Sequence, residues 1–248
     1  MIEAHELRKS FGDHRVLDGV NFRIETGESV VIIGRSGGGK SILLKHLIGL
    51  LQPDTGSVRV DGEDLSVMNE RQLLEVRRKF GMLFQSSALF DSMTVAENVG
   101  FVLRRAGRLS EVEMAERVAA ALDMVDLNGT QAKKPAELSG GMRKRVGLAR
   151  AIIYQPEIVL YDEPTTGLDP IVADSIDKLL LRVCERLKVT TIAVTHDMRS
   201  ARRIAQRILM LHEGRIYASG TPEELFQSSD PVVHRFVNGI SDPKDDLL

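Results

Sequence analysis

The sequence predicts an α/β fold built on a parallel β-sheet, and three observations carry that prediction. Short runs rich in Val and Ile, at residues 29–33, 158–161 and 190–194, are nearly continuous in apolar residues. Strands buried on both faces read this way, because neither face meets water. Longer amphipathic segments, from about residue 170 to 187 and from about 198 to 205, follow the second and third runs and read as helices. A glycine-rich turn follows the first run and opens another helix near Lys40. Strands alternating with helices give βα units and a parallel sheet.

Two further regions surround this core. Residues 2–25 and 56–64 read as short strands with polar turns and predict a small antiparallel layer. Residues 94–155 read as mostly helical. Thr94 with Glu97 and Ser110 with Glu113 each fit the capping box, in which a hydroxyl and a carboxylate satisfy N–H groups that the first helical turn leaves orphaned. Thr221 and Glu224 repeat the device around Pro222, whose fixed φ suits the first helical position. The expected organisation is one domain over residues 1–248, with a helical subdomain at about 86–155 and a short tail at about 230–248 whose end is polar and frayed.

Composition narrows the function classes. Lys plus Arg (33) nearly balance Asp plus Glu (35), so no global field favours nucleic acid or an anionic membrane. No apolar run reaches the ~18 residues that a membrane-crossing helix needs, so any membrane component is expected on another chain. The N-terminus, Met-Ile-Glu-Ala-His-Glu, has no basic and apolar leader. Cys184 is the single cysteine and reads as a small core residue in a reducing compartment.

Three stretches carry chemistry. Gly34, Arg35, Ser36, Gly37, Gly38, Gly39, Lys40 and Ser41 match G-x-x-x-x-G-K-[ST] between a Val/Ile strand and an amphipathic helix. Glycines let the backbone curl so that successive N–H groups point at phosphate oxygens, and the following helix adds its positive end. Lys40 would then reach the β and γ phosphates, and the Ser41 hydroxyl would bind Mg²⁺. Residues 158–163 form an apolar strand ending in Asp162 and Glu163. Paired carboxylates at a buried strand's end pack poorly unless a cation waits there, so Asp162 is expected on Mg²⁺ and Glu163 as the general base that polarises water. Leu138, Ser139, Gly140, Gly141 and Met142 precede a strongly helical stretch. Ser139 is a good N-cap, and the glycines after it allow a close backbone approach to a second anion.

These motifs resemble those of the ABC ATPases, in that family's order and over essentially the whole chain. Gly34 to Ser41 match the Walker A loop, Gln85 the Q-loop, and Leu138 to Met142 the signature. Residues 158–162 match Walker B with Glu163 beside it, Asp169 the D-loop, and His196 the switch histidine. The resemblance implies a P-loop NTPase with a RecA-like parallel-sheet core, ATP and Mg²⁺ as cofactors, and Gln85 as a further Mg²⁺ ligand. It also implies that a second copy is needed, because the signature of one subunit closes over the ATP of the other in a sandwich homodimer. His196 would contact the γ-phosphate and Phe11 would stack on adenine. Met142 stands where the family commonly has glutamine, and its side chain cannot hydrogen-bond as an amide does. The basic run 143–145 on one helix reads as a solvated face or a phosphate and partner contact.

Soluble ABC ATPases acting on DNA or ribosomes usually carry a coiled-coil insertion, zinc-binding cysteines or two ATPase units, none of which this sequence contains. A transporter subunit without nucleic-acid partners is therefore expected. Residues 84–98 and Met142 are similar to the Mla-type group, the lipid-trafficking ATPases of Gram-negative bacteria and of related mycobacterial and chloroplast systems. That resemblance implies phospholipid trafficking that maintains outer-membrane lipid asymmetry, through integral permease subunits and a lipid-binding accessory protein. The subunit would sit peripherally on the cytoplasmic face of the inner membrane. An importer of amino acids or metals is the alternative. A groove for the permease is expected from Phe84, Leu89, Phe90, Met93, Val95 and Val99.

Overall fold

The structure, a computed structural model, describes residues 1–107 and 109–241. The residues form two compact units, one comprising Met1–Val76 with the chain from Ile192 onward, the other Arg77–Thr191. The end of the expected tail, residues 242–248, lies outside the described residues.

The first unit opens with β1 (Ile2–Phe11) and β2 (His14–Ile24), longer than the short strands expected there. Ile2, Ala4, Leu7, Leu17, Val20 and Ile24 are buried, so one face of the pair builds core while the other meets solvent. β3 (Ser29–Ile33) is the buried Val/Ile run, and α1 (Lys40–Leu47) follows the glycine-rich turn. β4 (Thr55–Val60) pairs antiparallel with β1, placing Ile2 opposite Val60, and β5 (Glu63–Asp64) pairs with β4. The β1 ladders shift register around Glu6, which has φ 46°; a Cβ on Gly56 would fall 2.3 Å from the Glu6 carbonyl oxygen, so only glycine fits that bulge. α2 (Glu70–Arg77) follows, with Leu73 and Val76 buried.

In the second unit β6 (Phe80–Leu83) lies parallel to a later strand, β7 (Ile158–Asp162). Between them come α3 (Val95–Ala106), α4 (Glu111–Met124) and α5 (Gly140–Ile152). The expected capping boxes form at Thr94/Glu97 and Ser110/Glu113. α6 (Pro170–Leu187) starts at Asp169, whose carboxylate accepts the Ile171 and Val172 N–H groups at 3.0 Å each. Cys184 on α6 is half-buried, its thiol 3.3 Å from the Tyr161 hydroxyl. Burial pushes the Cys184 pKa up, so this is an inert thiol.

The chain returns to the first unit within β8 (Thr190–Thr195), buried throughout. There α7 (Met198–Ile204) leads to β9 (Arg207–His212), which runs parallel to β3 and antiparallel to β10 (Arg215–Gly220). Helices α8 (Pro222–Phe226) and α9 (Pro231–Val237) close the described chain, the first with the expected Thr221/Glu224 capping box. Among the described residues no helix is long and apolar enough to cross a membrane.

Candidate active site

In the first unit the turn from β3 to α1 is shaped by close backbone approaches. A Cβ on Gly34 would lie 2.5 Å from the Leu211 carbonyl oxygen, and one on Gly39 would lie 2.8 Å from Val16 Cγ1. Gly37 and Gly39 take φ 74° and 94°, in the left-handed region that glycine reaches without strain. Gly38 donates its N–H to the Arg35 carbonyl at 3.0 Å, which closes the curl. Lys40 is only 6% exposed, and its ammonium donates to Gly34 O at 2.9 Å and Arg35 O at 3.0 Å. The cation is therefore folded back over its own loop, where an incoming phosphate can exchange with those carbonyls. Arg35, Ser36 and Gly37 are exposed, Ser41 is half-buried, and the first turn of α1 holds no acid to oppose an anion. This set fits the phosphates of a nucleotide.

Phe11 ends β1 with 48% of its surface exposed and the Lys9 ammonium 5.7 Å from its ring centroid. An open aromatic face of this kind can accept a base by stacking. His196 is exposed in the turn between β8 and α7. Asp197 holds that turn, taking the Arg199 N–H at 2.8 Å and donating its own N–H to Thr195 Oγ1 at 3.0 Å.

The second unit gathers the acidic pair, Gln85 and the signature. Asp162 at the end of β7 is half-buried and Glu163 is 7% exposed, with φ 49°. A left-handed non-glycine residue at this point is a strained position of the kind that collects at reactive sites. The Glu163 carboxylate accepts from Thr166 Oγ1 at 3.0 Å. Gln85 is exposed just past β6. Ser139 is exposed and caps α5, accepting the Met142 N–H at 3.3 Å, while Arg143 donates to Leu138 O at 2.7 Å. Gly140 and Gly141 pack against Leu168 and Val172, where Cβ atoms would fall at 3.2 and 2.6 Å. The signature thus sits at a helix start braced by the residues around Asp169. Asp169 itself caps α6.

Two expectations are corrected. The run 143–145 is not a solvated face: only Arg143 is exposed. Lys144 is buried and donates to Gln85 O and Glu163 O, and Arg145 donates to Val125 O, Asp126 and Ser175. Burial brings the Lys144 ammonium down to about 8, while Asp162 and Glu163 pull it the other way. Charge spacing on a helix cannot reveal that carbonyls from two loops converge on one position, so the sequence reading missed Lys144. The expected permease groove also loses two members, because Val95 and Val99 are 0% exposed and belong to the core. Phe84 and Phe90 are exposed, Leu89 and Met93 half-buried, and the fully buried Asn98 amide ties this loop down through Phe90, Met93 and Thr94.

Comparison with known proteins accords with this geometry. Residues 17–166 match the family described as "ABC transporter". The chain is 42% identical over 238 residues to the "Probable ribonucleotide transport ATP-binding protein mkl" of Mycobacterium leprae, covering 96% of this chain and 69% of that one. It spans about two thirds of the mycobacterial relatives. It is 40% identical over 242 residues to the "Intermembrane phospholipid transport system ATP-binding protein MlaF" of Haemophilus influenzae, covering 98% and 92%. A sulfate/thiosulfate import ATP-binding protein of Shewanella oneidensis is 39% identical over 244 residues, covering 97% and 68%. Among solved structures, the dimeric ATP-binding cassette MJ0796 in a post-hydrolysis state with ADP and Pi superposes with a TM-score of 0.81 at 33% identity, covering 90% of this chain and 99% of that one. The chain belongs to the ABC transporter family, as one of its ATP-hydrolysing cassettes.

Proposed function

We propose that the chain energises phospholipid trafficking between bacterial membranes, as the nucleotide-binding subunit of a transporter whose permease is a separate integral protein. The observation that carries this reading is the similarity to MlaF over 92% of that relative's length. Met142 in the signature and the sequence of residues 84–98 support it. In this reading the chain is one domain, its helical subdomain at about 86–155, and it sits peripherally on the cytoplasmic face of the inner membrane. It works as a homodimer, with the permease and a lipid-binding accessory protein as further partners.

The residue roles in this proposal join side-chain chemistry to what the resemblance to ABC ATPases implies for Gln85, Ser139, His196 and Phe11. Arg35 to Ser41 hold the phosphates through backbone N–H groups, and Lys40 gives up its loop carbonyls to neutralise the β and γ phosphates. Ser41, Gln85 and Asp162 would hold Mg²⁺, which would supply positive charge to the phosphate oxygens. Glu163 takes a proton from the attacking water, whose oxygen bonds to the γ-phosphorus as the bond to the β–γ bridging oxygen breaks. His196 donates to the γ-phosphate, and Phe11 stacks on adenine. Ser139 and its helix start stabilise the γ-phosphate of the partner's ATP.

The similarity to a sulfate import protein favours a second reading, an importer of a small solute. Purifying the native complex through a tag on this chain, followed by mass spectrometry of bound proteins and lipids, decides between them. Phospholipid retained with an integral permease is the expected result. A permease accompanied by a soluble solute-binding protein, with no lipid above the background of an unrelated membrane protein, would favour the importer.

A further inference from the structure

Helix α5 does more than present the signature at its start. Lys144, on its second turn, is 5% exposed, and its ammonium donates to Gln85 O at 2.6 Å and Glu163 O at 3.1 Å. Burying an ammonium is unfavourable unless it is hydrogen-bonded and sits near opposite charge, and here two carbonyls and the carboxylates of Asp162 and Glu163 supply both. Farther along the same helix Arg150 donates to Ser87 O and Ala88 O, each at 2.6 Å. Those two loop residues take φ 63° and 44°, left-handed values that cost a non-glycine residue energy and persist only when the surroundings impose them. Between the two cations, a Cβ on Gly147 would fall 2.8 Å from Leu83 Cδ1 and 3.3 Å from Ser87 Cβ, so the helix backbone lies directly against the loop.

We propose that Lys144 is a positioning residue for hydrolysis, which fixes the backbones of Gln85 and Glu163 on one shared ammonium so that the two side chains keep a constant separation. Arg150 holds the remainder of the loop on the same helix, and a movement of the signature therefore reaches Gln85 and Glu163 together. The inference rests on Glu163 as the general base.

The test is steady-state kinetics on the full chain with Mg-ATP, together with thermal unfolding and binding of a fluorescent ATP analogue. Lys144→Met removes the charge and both hydrogen bonds at similar length. It is expected to lower kcat by ~10- to 100-fold while KM and analogue affinity stay within about twofold, since the loss is one of alignment and not of nucleotide contact. Lys144→Arg, which keeps the cation, is expected to recover at least half of that loss on a logarithmic scale. If Lys144→Met fails to unfold cooperatively, Lys144→Gln, which removes the charge and keeps a shorter amide donor group, is expected to show the same split. Parental kcat in a folded Met or Gln variant, or equal losses in kcat and nucleotide affinity, would overturn the proposal. Glu163→Gln is the control: if it turned over at the parental rate, the base assignment would fall and take this inference with it, a failure distinguishable by which variant stays active.

Discussion

In the first unit, the Lys40 ammonium and the curl of the phosphate loop are held by their own neighbours in sequence. Lys40 turns back onto carbonyls six and five residues away, and Gly38 bonds to Arg35 within the same curl. In the second unit the reactive groups are arranged by distant parts of the chain. Lys144 reaches a carbonyl 19 residues away at Glu163 and another 59 residues away at Gln85, and Arg150 reaches 62 and 63 residues back. A site coded by backbone conformation depends on residues with no side chain at all. One assembled across the sequence depends on long cationic side chains and on the carbonyls they find.

The glycines of the phosphate loop mark the limit of this contrast, because Gly34 is set by a distant strand and Gly37 only by its own backbone. Gly34→Ala places a methyl 2.5 Å from the Leu211 carbonyl, a backbone atom that cannot swing aside. The expected loss of stability is about 3 kcal/mol, the upper part of the usual range for overpacking. Gly37→Ala meets nothing within 4 Å and bears only the penalty of φ 74°, about 1 kcal/mol. Urea unfolding of both variants checks the order, and a Gly37 variant less stable than the Gly34 variant would break the account of the loop.

A smaller effect concerns α1 itself. His46 is 1% exposed and donates from Nδ1 to Ile42 O at 2.8 Å. Burial pushes its pKa below 6.5, opposed by the Ile42 carbonyl and aided by Lys9. The unfolded chain therefore protonates this group first, and its contribution to stability is lost as pH falls through about 6.5. Melting temperatures taken from pH 7.5 to 5.5 are expected to fall more steeply in the parental chain than in His46→Leu. Equal slopes would show that the imidazole does not titrate differently on folding.

How far the sequence could be read follows the same division. The buried strands, α6 and the three capping boxes were legible because period, burial and capping act within a few residues. The phosphate loop was legible for the same reason. Lys144 and the burial of Val95 and Val99 were not, since they depend on which loops the tertiary fold brings to one helix face. Residues 143–145 read as a solvated face or a phosphate and partner contact, and the burial of Lys144 shows only once the convergence of Gln85 O and Glu163 O is known.

The central claim is that binding and chemistry reside in different residues, with Lys40 holding the nucleotide and Glu163 turning it over. One paired measurement tests it most directly: ATP affinity and phosphate release on the same preparations of the parental chain, Lys40→Ala and Glu163→Gln. The account predicts that Lys40→Ala loses affinity. Glu163→Gln should bind ATP as the parent does, while its turnover falls by roughly 10² to 10⁴. Parental turnover in Glu163→Gln, or unchanged ATP affinity in Lys40→Ala, would contradict it.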